Sequence, residues 1–303
     1  MTGPRSLALL LACAMLQAPI SAAHAQFGGL GGLGGLVDKA RGAKKVADST
    51  RAIGEEEEIK IGGDLAGIVL GAAPLVEDPA LQLYVNRLGR WLAMHSERPN
   101  LPWKFGVIAT DDFNAFSTPG GYVLVSKGLV DRMRNESELA GVLAHEIAHV
   151  VSKHHLKALQ KEMGTAGLAE IGSSYASSQG GVAGQVGSKL IEGGRQVLIK
   201  GLDKEDEYQA DRMGVVIAAR SGYSPYGLVG VLQTLSAAPA GRGFALMMKT
   251  HPTPASRIER LDQAMGSKLD DVQGVVDDLP GFSELRMPNP GAPRSLSQAS
   301  TPR

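Results

Sequence analysis

The chain has 303 residues, with 31 basic and 31 acidic side chains, 43% hydrophobic content and one cysteine. That length accommodates one or two domains with a sizeable core, and the balanced charge excludes a basic field for nucleic acid or an acidic solvating tail. The 39 glycines and only 5% aromatic residues indicate closely packed or flexible segments with few large aromatic anchors.

Residues 1–25 read as an export signal. Arg5 precedes the apolar run Leu7–Leu16, and Ala23-His24-Ala25 supplies a small-x-small cleavage pattern. The run is shorter than the ~18 apolar residues a membrane-spanning helix needs. Lipoprotein anchoring through Cys13 would leave a very short apolar region and is the weaker reading. Cleavage near Ala25 gives a cysteine-free periplasmic or secreted protein without disulfides. Residues 26–50 form a Gly/Leu-rich linker that runs into an N-terminal helix. Its regularly placed leucines leave room for peripheral outer-membrane association.

A helix with an acidic first turn is expected from Glu55–Glu58 onward, and Asp78-Pro79 opens another. In the second, Leu81, Tyr84, Val85, Leu88 and Leu92 recur at helical spacing and read as core. Trp103–Ile108 alternates like a strand, Asn114–Gly121 is turn-rich, and Tyr122–Val125 is a second strand. The two strands form a small sheet, or a plain hairpin, leading into the next helix.

That helix carries His145-Glu146-Ile147-Ala148-His149. Histidines four residues apart lie on one helix face, so two imidazoles can bind one metal, while Glu146 is turned aside to reach a water. Asn135 is the expected cap, with Glu138 reaching back to complete a capping box. Leu139, Val142, Leu143, Ile147, Val150 and Val151 give the buried face. Residues 164–194, rich in Gly, Ala, Ser and Gln, read as a mobile lid or as a loosely packed surface insertion. Helices follow from Lys204 to Ser221, from Ser224-Pro225 and from Thr253-Pro254. Residues 271–303 form an extension, disordered from about 287 by its Pro, Ser and Gly content.

A catalytic zinc needs a third protein ligand. His155 is one candidate, but Ser152 stands where a sharp turn would need glycine, so His154 and His155 read better as the polar end of the helix. Glu207 is the other candidate. Asp211 shares its helix face and can accept the free ring N–H of a ligand histidine, and the small Ala210 and Gly214 allow close helix approach.

These motifs, with Asn114-Ala115-Phe116, Pro119-Gly120-Gly121-Tyr122, His251-Pro252 and Arg257-Ile258, resemble the M48-type zinc metallopeptidases, a gluzincin group, over roughly residues 51–265. The resemblance implies an α+β, mainly helical, zincin-like domain over residues 51–270, with a small sheet whose edge strand flanks the HExxH helix. It implies one zinc held by His145, His149 and Glu207, with Glu146 as general base and Asp211 behind the ligands. It also implies an edge strand in the Asn114–Val125 region that receives substrate, which singles out Asn114, Ala115, Phe116, Gly120, Gly121 and Tyr122. Transmembrane helices and C-terminal helical repeats, present in some members, are not expected here.

His251 and Arg257 are the candidates to stabilise the oxyanion of peptide hydrolysis. His251 has two rival roles, as an occluding fourth ligand or as part of a helix-opening turn. The expected function is an exported zinc metalloendopeptidase acting on unfolded or misfolded cell-envelope proteins. The alternatives are a chaperone-like envelope assembly factor with a usually closed zinc site, and a hydrolase of peptidoglycan or small peptides. No nucleic-acid partner is expected, and no motif specifies an oligomeric state.

Overall fold

The computed structural model describes residues 53–177, 185–237 and 250–269, all within one compact unit, Lys45–Arg303. The export signal, the Gly/Leu-rich linker and the C-terminal extension lie outside the described residues. Those residues form nine helices and three strands. In order they are α1 Glu55–Ala72, α2 Pro79–Met94, β1 Lys104–Ile108, β2 Ala115–Thr118, β3 Tyr122–Ser126, α3 Lys127–Val130, α4 Glu136–Val151, α5 His154–Ser177, α6 Gln185–Lys200, α7 Lys204–Arg220, α8 Gly227–Ala237 and α9 Pro254–Met265. The architecture is α+β, a mostly helical domain with a small mixed sheet.

Local chemistry sets several helix starts. The Asp78 carboxylate accepts from the backbone N–H groups of Ala80 and Leu81 at 3.1 and 3.0 Å, and Pro79 follows where its missing N–H is harmless. Thr253 and Pro254 repeat the arrangement at α9. Asn135 caps α4 by accepting from Glu138 N–H at 2.9 Å. The expected return bond does not form: Glu138 accepts instead from Arg134 N and Nε at 2.7 and 2.6 Å, because a guanidinium beside the turn competes with the cap amide. Helix α8 starts at Gly227, after a turn in which Gly227 N–H donates to Ser224 C=O at 3.2 Å.

The sheet order is β1-β3-β2, with β1 parallel and β2 antiparallel to the central β3. The expected partners β1 and β3 do pair, but in parallel. The hairpin is β2–β3, joined through Pro119-Gly120-Gly121, with Gly120 and Gly121 at φ +76° and +102°. The turn-rich stretch thus contains the edge strand itself. Turn residues occupy only its ends, and Ala115–Thr118 between them is extended.

Helix α4 runs through the centre, flanked by α2, α7, α8 and β2. It is buried on all sides from Glu136 to Val150 rather than on one face, since packed elements surround it. Two glycines permit close approaches between α4 and its neighbouring helices. A Cβ on Gly214 of α7 would lie 2.9 Å from His145 Cα, and one on Gly141 would lie 2.5 Å from Leu228 N. A second cluster joins Ile61 and Leu65 of α1 to Leu159, Leu168, Ile171 and Tyr175 of α5 and Leu190 of α6. The described parts of 164–194 are therefore helical and contribute to a core, not a loosely packed insertion. Gly164, at φ +73°, kinks α5 and lets both halves reach that core.

Candidate metal centre and catalytic cleft

Helix periodicity brings His145 and His149 together on α4, with their Nε2 atoms 3.0 Å apart. Glu207 enters from α7, its two oxygens 3.7 and 3.6 Å from those nitrogens. All three side chains are buried, and their ligand atoms lie within 4.8 Å of one another. The Glu207 Oε1 atom is buried with no hydrogen-bond partner among the described residues. A carboxylate oxygen left so is costly unless a cation faces it, so the donor set fits a metal ion. Burial pushes the Glu207 carboxyl up, but the neighbouring His251, His145 and Arg257 outweigh it and hold it down to about 2.

Each of the two histidines is backed from behind. His145 Nδ1 lies 2.9 Å from Asp211 Oδ1, one turn beyond Glu207 on α7. Burial and then the Arg257 charge push His145 down, yet Asp211 and Glu207 hold it above its ordinary value. Asp211 is itself gripped by Arg257 of α9, whose Nε and Nη2 reach its two oxygens at 2.9 and 2.5 Å. His149 Nδ1 meets His154 Nδ1 at 2.9 Å. Burial, then the nearby imidazoles, keeps His149 well below its ordinary value and therefore neutral.

The sequence expectation for His154 and His155 is corrected here. Helix α4 ends at Val151, and Lys153 turns the chain at φ +58°. The two histidines open α5 and are carried back against His149, His154 fully buried and the His155 ring centroid 5.6 Å from that of His149. The turn falls one residue after Ser152, at a lysine, so no glycine marks it.

Glu146 faces a narrow cleft with His149, His155, Glu207 and His251, bounded by Asn114, Ala115 and Phe116 at the edge strand and by Val197 and Leu198 of α6. A second hollow on its other side is lined by Val142, Leu228, Val231, Leu232 and Leu235. Each has about 40 Å³ of free volume. His251 Nδ1 lies 2.6 Å from Glu207 Oε2, so it belongs to the site and is not merely a turn residue.

Not every expected residue meets the cleft. Gly120 and Gly121 turn at the far end of β2, where Gly120 N–H donates to Glu58 at 3.2 Å, and Tyr122 lies on the central strand beside Lys104. The extended β2 carries that turn away from Glu146. Arg257 gives Nε and Nη2 to Asp211, which places it behind His145, and it also lines the second hollow beside Glu146. Glu58, read in the sequence only as part of an acidic first turn, meets Arg98, Lys153 and Gly120 outside the cleft, distant partners that helical periodicity does not announce.

The model of Peptidase family M48 matches residues 79–265, more than half of the chain. The beta-barrel assembly-enhancing protease of Escherichia coli K12 is 35% identical over 220 residues, 70% of this chain and 44% of that protein. Its Yersinia pestis counterpart is 34% identical over 83% of this chain and 51% of its own length. The mitochondrial metalloendopeptidase OMA1 of Schizosaccharomyces pombe is 28% identical over 60% of this chain and 52% of its own. The chain thus spans about half the length of these curated relatives. With the family's motif residues converging on one buried donor set, the chain belongs to peptidase family M48.

Proposed function

We propose that the chain is an exported zinc-dependent metalloendopeptidase that hydrolyses unfolded or damaged cell-envelope proteins. The observation that carries this is the convergence of His145, His149 and Glu207 beside Glu146, next to an edge strand. Tetrahedral ligands at about 2.0–2.1 Å from zinc lie about 3.3 Å apart; the separations of 3.0, 3.6 and 3.7 Å straddle that value. Zinc held there supplies Lewis acidity, acidifying water and polarising the scissile carbonyl.

The protein's own residues supply the rest. In this reading a substrate segment adds to the edge of β2, which has one strand neighbour and presents Ala115 and Phe116 to the cleft. Glu146 takes a proton from the attacking water and returns it to the leaving amine. The described parts of residues 164–194 act as a lid, and Val197 and Leu198, just beyond them on α6, bound the cleft. Envelope substrates and export rest on the likeness to the beta-barrel assembly-enhancing proteases and on the N-terminal signal pattern. Among the described residues no helix is long and apolar enough to cross a membrane.

The test is Glu146→Gln. The variant should bind one zinc per chain and lose casein cleavage. Cleavage at the wild-type rate would overturn the assignment.

One observation favours a second reading, a usually closed site in a chaperone-like factor. The free volume beside Glu146 is small, about 40 Å³, and His251 sits against Glu207. If His251 closes the site, His251→Ala should raise the cleavage rate. If it stabilises the oxyanion, the same change should lower kcat with little change in KM.

A further inference from the structure

We propose that His154 is a positioning residue for His149: its Nδ1 accepts the His149 Nδ1 proton and so leaves His149 Nε2 bare for the metal. The proposal rests on the zinc site inferred above. The contact itself rests on geometry, two buried imidazoles with Nδ1 atoms 2.9 Å apart.

Counting protons fixes the direction. Two facing ring nitrogens need one proton between them. On its far side, His154 Nε2 lies 3.2 Å from Gln209 Oε1 and 3.4 Å from Asp206 Oδ1, both acceptors. The Gln209 nitrogen points the other way, toward the Met213 sulfur 3.9 Å away, and the Asp206 carboxylate is an acceptor in any orientation. His154 Nε2 must therefore carry its proton. A singly protonated His154 then has a bare Nδ1, and among the described residues the group that faces it is His149 Nδ1. That leaves the His149 lone pair on Nε2, the atom that faces His145 Nε2 and Glu207.

This makes α7 the element that sets both ligand histidines. Asp211 on one face backs His145, and Asp206 and Gln209 on another face act through His154 to back His149. The two supports differ in chemistry. His145 leans on a carboxylate whose charge Arg257 balances, and His149 leans on a neutral ring. A second carboxylate behind His149 would bring another unpaired negative charge into a buried site that already holds Glu207 and Asp211. The left-handed turn at Lys153 is what delivers His154 to this place.

The experiment compares wild type, His154→Asn and His154→Leu as full chains. Asparagine puts an acceptor oxygen near the Nδ1 position, and leucine fills the space without one. Zinc affinity is measured by chelator competition, and the His149 tautomer is read from ¹⁵N imidazole shifts of the metal-free protein. Expected are a protonated Nδ1 on His149, a 10–100-fold weaker zinc affinity in the leucine variant by analogy with other outer supports, and recovery of most of that loss by asparagine. A folded leucine variant that binds zinc as tightly as wild type would overturn the proposal. So would a wild-type His149 protonated on Nε2. If the leucine variant does not fold, the tautomer decides alone. If wild type binds no zinc, the functional reading fails, and the tautomer still decides this one.

Discussion

The buried pair of Asp211 and Arg257 shows at residue scale how the site is held. Asp211 is 1% exposed and Arg257 4%. Burial raises the Asp211 carboxyl, but Arg257 and His145 outweigh it and keep it far below its ordinary value, so it stays charged. Removing the guanidinium strands that charge. Arg257→Met should lose about 3–5 kcal/mol of stability, the usual penalty for breaking a buried pair from one side. Arg257→Lys should recover only part of it, because a single ammonium cannot reproduce the two-armed grip. Urea unfolding checks both, and a methionine variant with the wild-type midpoint would show that Asp211 is supported otherwise. Neither effect needs zinc or substrate, which separates this role from an oxyanion role for Arg257.

At the scale of elements, the site is the crossing of α4 and α7, and Gly214 sets their separation. Its missing Cβ would stand 2.9 Å from both His145 Cα and His145 N, which are backbone atoms that cannot rotate away. Gly214→Ala should therefore push α7 off α4, lower stability by about 1–3 kcal/mol as overpacking does, and weaken zinc binding by pulling Glu207 from the histidines. A variant with unchanged chelator-competition affinity would show that the helices have slack. This crossing was legible before the structure, because i,i+4 spacing puts His145 with His149 and Glu207 with Asp211 on single faces, and Ala210 and Gly214 mark a close approach. The support of His149 was not legible. It depends on a lysine taking a left-handed conformation at residue 153, which local propensity disfavours and tertiary contacts impose. The edge strand was half legible: its bounding turn residues were read, and the four extended residues between them were absorbed into the turn. Parallel pairing of β1 with β3 was hidden for a similar reason, since alternation reports exposure and says nothing of strand direction.

Across the whole molecule, Glu58 joins segments that are far apart in sequence. It is fully buried on α1 and meets Arg98 Nη1 at 2.6 Å, Lys153 Nζ at 2.9 Å and Gly120 N at 3.2 Å. One carboxylate thus links the first helix, the segment before β1, the β2–β3 turn and the exit of α4. Burial alone would raise its pKa, but the bonds and charges of Arg98 and Lys153 prevail and lower it from the ordinary 4.5. A folded pKa below the unfolded one means that the unfolded chain binds more protons in the interval between the two. The stabilisation is therefore fully present above about pH 4.5 and is lost as pH falls through the lower, folded value. Glu58→Gln should be less stable than wild type by about 1–3 kcal/mol near pH 7, the usual contribution of hydrogen bonds to a buried charged group. The difference should shrink steadily below pH 4.5, because wild type then approaches the neutral side chain that the variant always carries. Urea unfolding of both proteins from pH 7 down to pH 3.5 gives the curve. A difference that stayed constant over that range would show that Glu58 acts through shape and not through its charge, and the ion cluster would then not be what binds α1 to the catalytic half.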